Sequence, residues 1–173
     1  MLKYFGLSEI PHFNPYEICK KLITKDIGLL PGSSNNPAKR WPIENWRALI
    51  KKFLKIDDHL CFKIYGSTEE VEIGETIQQG FNEKQVMNFC GTTNLGSLCK
   101  ELASCTSVIG NDSGGMHLAN LLGVKTIVLF GPTNPKVTKP IYGDNSYVVK
   151  AHFEVGMKNS ETTINEILKL FVK

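Results

Sequence analysis

Apolar residues recur along the chain at two alternating spacings. Short, nearly continuous runs occur at DIGLLP (26–31), LCFKIYG (60–66), QVMNFCG (85–91), TSVIG (106–110) and KTIVLFG (125–131), with SYVVK (146–150) as a sixth. Each has strand length, and the first five end at a glycine or proline. Between them the spacing becomes helical. In 43–55, Ile43, Trp46, Leu49, Ile50, Phe53 and Leu54 share one side, and Pro42 stands at the first turn. Ser67 and Glu70 form an S-x-x-E capping box that starts a helix running to about Gln79. Thr93 or Asn94 caps a helix with Leu95, Leu98, Leu102 and Ala103 on one face. Residues 114–122 are apolar almost all round, which predicts a well-buried helix. Residues 164–171 predict a closing helix. Strands joined by helices of this length form a parallel sheet through right-handed crossovers, and strands apolar on both sides are covered on both faces. The expected fold is a Rossmann-like α/β domain, whose ligands bind at the carboxyl ends of the strands.

Composition narrows the picture. The chain has 173 residues, 42% hydrophobic and 21% charged, which suits one soluble domain with a substantial core. A net charge of +3, spread among acids, does not favour a nucleic-acid partner. The lysines read as solvated faces, with one patch available to a phosphorylated ligand or an anionic membrane surface. Cys19, Cys61, Cys90, Cys99 and Cys105 are odd in number and form no C-x-x-C pair, so reduced, buried thiols in the cytoplasm are expected. No apolar run reaches the roughly 18 residues of a membrane helix, and the start of the sequence lacks a signal-peptide pattern. There is no internal repeat.

The chemistry concentrates after the strands. GNDSGGMHLANL (110–121) puts glycines, an acid, a hydroxyl and a histidine between two buried segments. A helix start carries unpaired N–H groups and partial positive charge. Gly114 and Gly115 permit close backbone approach, and Ser113 can cap the helix or donate to a phosphate. Asp112, repelled by phosphate, is expected to cap the helix or meet sugar hydroxyls. His117 can donate to a phosphate or orient Asp112. The plainer alternative is a tight strand–helix turn with a core histidine. PGSSNNPAKRWPIENW (31–46) places Lys39 and Arg40 near a helix start, where cations oppose the dipole and a bound anion would relieve them. Its alternative is a solvated loop anchored by Trp41. FGPTNP (130–135) is either a turn or a rim of the same cleft, and YGSTEE (65–70) offers Glu69 or Glu70 to a ribose, although capping already explains Glu70. Asp57–Asp58–His59 reads as polar surface. There is no carboxylate pair for a metal–nucleotide, no Walker loop, no dinucleotide fingerprint, no nucleophile elbow and no metal spacing among the four histidines.

These motifs, in this order over about residues 26–142, resemble the C-terminal half of glycosyltransferase family 9, the ADP-heptose:lipopolysaccharide heptosyltransferases, with the type II enzymes most similar. Gly115 departs from the pattern, because many relatives have proline there. The resemblance implies a GT-B enzyme with two Rossmann-like domains, inverting transfer and no metal or other cofactor. Carried onto this chain, Ser33, Ser34 and Lys39 meet the donor phosphates, and Asp112, Ser113, Gly114 and His117 line the phosphate and heptose pocket. Glu69 or a neighbour meets the ribose, and Thr93 or Asn94 lies beside the adenine. Lys39 and Asp112 are the implied catalytic contributors, with the general base on an N-terminal domain. On this reading residues 1–25, including YFGLSEI, are a remnant of an interdomain connection, and residues 26–173 are the donor-binding domain. The implied partners are ADP-heptose, a lipopolysaccharide inner-core acceptor and a separate chain supplying the N-terminal half. The implied location is cytoplasmic, peripheral to the inner membrane. Two alternatives stand beside it: an inactive nucleotide-sugar-binding remnant or subunit, and a relative that uses another nucleotide sugar.

Overall fold

A computed structural model describes residues 24–33, 36–141, 144–151 and 157–172. Six strands form one parallel sheet: β1 (Asp26–Leu30), β2 (Cys61–Ile64), β3 (Val86–Asn88), β4 (Ser107–Asn111), β5 (Lys125–Phe130) and β6 (Ser146–Lys150). Their order is β3-β2-β1-β4-β5-β6. This is the doubly wound arrangement that the alternating spacings predict. The strand order reverses between β1 and β4, which opens a crevice at their carboxyl ends.

The helices are α1 (Ile43–Ile56), α2 (Val71–Gln78), α3 (Leu95–Ser104), α4 (Gly114–Leu121), the single turn α5 (Pro135–Thr138) and α6 (Met157–Val172). The two-residue period of the strands sorts the core into two layers. Ile27, Leu29, Ile64, Ile109, Ile127 and Leu129 pack with Trp46, Leu49 and Phe53 of α1 and Ile164 and Ile167 of α6. Leu30, Val108, Val128 and Phe130 point the other way, against Leu102 and Ala103 of α3 and Met116 and Ala119 of α4. The Phe53 ring stands edge-on to Phe171, with centroids 4.9 Å apart, which ties α1 to α6.

Several boundaries differ from expectation. α6 begins at Met157, well before the apolar spacing becomes regular. The Ser67–Glu70 capping box is present, but it opens a 3-10 turn (Thr68–Glu70) that leads into α2. Asn94, not Thr93, caps α3, exchanging bonds with Ser97. α4 is less buried than its composition predicts. Gly114 and His117 are exposed, while Met116, Ala119 and Asn120 are buried. Its first turn faces the crevice rather than another helix, which leaves that end open.

Cys61, Cys90, Cys99 and Cys105 are free thiols, and Cys19 lies outside the described residues. Burial, aided by the charge of Glu70, pushes the Cys90 thiol up to about 12. Burial likewise pushes Cys105 up to about 11, a rise to which Asp26 and Glu101 add, while Lys63 and a bond to Tyr65 oppose it. Thiolate is the reacting form. In the native protein at pH 8, Cys90 and Cys105 are therefore expected to resist iodoacetamide while the half-exposed Cys61 and Cys99 are alkylated. Peptide mapping by mass spectrometry checks this order. No helix among the described residues is long and apolar enough to cross a membrane.

Candidate functional site

The loops leaving β1, β2, β3 and β4 enclose a cavity of about 510 Å³ at the strand reversal. Gly32, Ser33, Asn36 and Lys39 come from the first loop, and Gly66, Ser67 and Glu70 from the second. Thr93, Asn94, Leu95 and Leu98 come from the third, and Asp112, Ser113, Gly114 and Gly115 from the fourth. Of the residues singled out for chemistry, Ser33, Lys39, Thr93, Asn94, Asp112, Ser113 and Gly114 are brought together here. Ser34 lies outside the described residues.

Asp112 is the electrostatic centre. It is 5% exposed. Its Oδ2 accepts from Lys39 Nζ at 2.8 Å, from Thr133 Oγ1 at 2.9 Å and from Thr138 Oγ1 at 3.2 Å. Lys39 ends a 3-10 turn (Pro37–Lys39) that Asn36 caps through the Ala38 N–H. Two expectations are corrected here. Asp112 does not cap α4. Ser113 occupies the cap position, and its own side chain makes no capping bond. The cations near α1 are also relieved internally: Lys39 pairs with Asp112, and Arg40 donates from Nε and Nη2 to the Ser33 carbonyl at 3.3 and 3.1 Å. The start of α4 is open, because a Cβ on Gly114 would meet nothing within 4 Å.

Asn111 is the residue that pattern reading missed. It is fully buried at the end of β4. Its Oδ1 accepts from the Trp41 N–H at 3.2 Å, and its Nδ2 donates to the Pro31 carbonyl at 2.6 Å. One side chain thus joins both ends of the first loop to the end of β4, next to Asp112. The available signal was a polar residue inside an apolar strand just before an acid. Trp41 is the hydrophobic anchor foreseen for that loop, 1% exposed and edge-on to Trp46 at 5.2 Å.

Of the two candidate acids after β2, Glu70 lines the cavity, whereas Glu69 is exposed and outside the lining. Glu70 Oε2 accepts from the Ser67 N–H at 2.8 Å. Its Oε1 is buried without a partner among the described residues. Any side chain at Gly32 would collide with this carboxylate, so the loops after β1 and β2 meet only because position 32 is glycine. His117 is exposed and also lies outside the lining, which corrects its core reading. Tyr65 forms part of the floor. Its hydroxyl bonds Glu101 at 3.1 Å, and burial, with the nearby Cys105 and Glu101 charges, raises it above the ordinary phenol range. Among the described residues no three His, Cys, Asp or Glu side chains come together as metal ligands would.

A parallel β3-β2-β1-β4-β5-β6 sheet with this crevice is a Rossmann-like domain of the GT-B glycosyltransferase type. The sequence model of "Glycosyltransferase family 9 (heptosyltransferase)" matches residues 12–169, and the chain belongs to that family. Lipooligosaccharide heptosyltransferase 2 of Haemophilus influenzae is 35% identical over 127 residues, which are 72% of this chain and 36% of that protein. Its namesake in Campylobacter jejuni is 37% identical over 127 residues, covering 72% and 39%. Among solved structures, E. coli ADP-heptose lps heptosyltransferase II superposes with a TM-score of 0.72 at 26% identity, over 99% of this chain and 50% of that one. E. coli heptosyltransferase WaaC with ADP shares the fold, with a TM-score of 0.73 at 22% identity, over 98% and 53%. The chain spans about half the length of these solved relatives.

Proposed function

We propose that the cavity holds the nucleotide-sugar donor of a heptosyltransferase of lipopolysaccharide core synthesis, with ADP-heptose as donor and a lipopolysaccharide inner-core sugar as acceptor. The observation that carries this reading is the pairing of the part-exposed Lys39 with the buried Asp112 beside the open α4 start, in a crevice fed by four loops. The helix start and Lys39 supply N–H donors and positive charge for a diphosphate. Ser33 adds a hydroxyl beside them, and Ser34 belongs to the same loop. Glu70, rather than Glu69, is the acid placed to accept from ribose hydroxyls, and its unpartnered Oε1 supports that role. Thr93, Asn94 and the exposed Leu95 edge suit a purine. Asp112 faces the sugar, and the exposed His117 is accessible to a ligand extending past the helix start.

In this reading the transfer is inverting and independent of a metal. Charge grows on the departing ADP as the glycosidic bond breaks, and Lys39 with the α4 amides stabilises it. Asp112 already accepts three donors, so it is poorly suited to take the acceptor's proton. In this reading the base and the acceptor site lie on a second domain or a second chain. The acceptor's lipid anchor would place the reaction at the inner face of the inner membrane.

Thermal unfolding with ADP, UDP, GDP and phosphate at matched concentrations tests the donor assignment. At about 100 times Kd, ADP contributes about 2.7 kcal/mol, a rise of roughly 5–10 °C for a chain this size. Smaller or no shifts are expected from the other three. Equal shifts from ADP, UDP and GDP would remove the adenine assignment, and no shift from any nucleotide would remove the donor site.

A further inference from the structure

Thr133 and Thr138 lie beyond β5, outside the four loops that line the cavity, yet both hydroxyls reach Asp112. They donate to the same oxygen that Lys39 holds. We infer that Thr133 and Thr138 are positioning residues that share the charge of Asp112 and so leave Lys39 available to a diphosphate. This rests on the reading of the cavity as a nucleotide diphosphate site.

The physical reason is competition at one buried atom. A carboxylate oxygen with a single charged donor holds it tightly, and each further donor withdraws part of the charge that the lysine feels. Water cannot readily replace the threonines, because the Asp112 side chain is 4% exposed. Lys39, at 23%, still reaches the cavity side. Thr138 sits in the α5 turn, which Asn134 caps through the Lys136 N–H, and of the two acceptors that compete for its single hydroxyl proton Asp112 at 3.2 Å is nearer than the Asn134 carbonyl at 3.5 Å. The turn after β5 is therefore coupled to the donor site without lining it.

The test compares wild type with the T133V/T138V and T133S/T138S double variants. Two readouts are taken. The first needs no nucleotide: acylation of Lys39 by an acetyl N-hydroxysuccinimide ester, followed by mass spectrometry with the exposed Lys51 as internal reference. Slower labelling of Lys39 in the valine variant, with wild-type labelling in the serine variant, is expected. Unchanged or faster labelling in the valine variant overturns the inference. The second readout is calorimetric titration with ADP and with adenosine. ADP affinity is expected to fall about tenfold in the valine variant, adenosine affinity to stay constant, and serine to restore ADP binding. An equal loss for adenosine would mean that the turn only supports the fold, and would overturn the inference. Slowed labelling in a protein whose wild type ignores ADP would sink the nucleotide reading while leaving the charge sharing in place.

Discussion

Asn111→Ala is expected to destabilise the protein by roughly 2–6 kcal/mol, because it leaves two buried backbone groups unsatisfied at about 1–3 kcal/mol each. The groups are the Trp41 N–H and the Pro31 carbonyl. No nearby solvent can replace the amide, since Asn111 is fully buried. The effect should reach the site as well. With the clasp gone, the loop that carries Ser33 and Lys39 is no longer fixed to the end of β4 beside Asp112, and ADP should bind more weakly. Urea unfolding monitored by tryptophan fluorescence measures the first effect, aided by the burial of Trp41 and Trp46. A change under about 1 kcal/mol would mean that Trp41 and Pro31 find other partners.

The second large effect is on binding. Lys39→Ala should weaken ADP by about 1–3 kcal/mol, the loss expected for a charge-assisted bond to phosphate. The variant also leaves Asp112 with the two threonines alone, so some folding stability should be lost. Lys39→Ala combined with Asp112→Asn separates the two consequences. The double variant should recover stability in urea, because no charge is left unpaired, but it should not recover ADP affinity. Wild-type ADP affinity in Lys39→Ala would remove the lysine from the site.

Much of this arrangement was legible in the sequence, and the exceptions have physical causes. Six apolar runs separated by helical spacing lead to a parallel, doubly wound sheet, because period and connection length leave little other choice. The glycine- and hydroxyl-rich segments after β1 and β4 then fall at the strand reversal, where the structure places the cavity. What spacing cannot give is partnership across the sheet. Lys39 and Asp112 are far apart in sequence, as are Trp41 and Asn111, and only the β1–β4 pairing brings them together. Periodicity also overstated the burial of α4, because it registers apolar composition and not the open crevice before Gly114. The choice of Glu70 over Glu69 depends on which way a 3-10 turn points its side chains, which adjacent acids do not reveal.

The central claim is that these four loops form one nucleotide site. Hydrogen–deuterium exchange with and without saturating ADP tests it most directly. Protection is expected to rise together at 32–33, 66–70, 93–98 and 112–117, with no change at 79–84 at the far end of α2. Protection confined to other parts of the chain, or no protection at any of the four loops, would contradict the account.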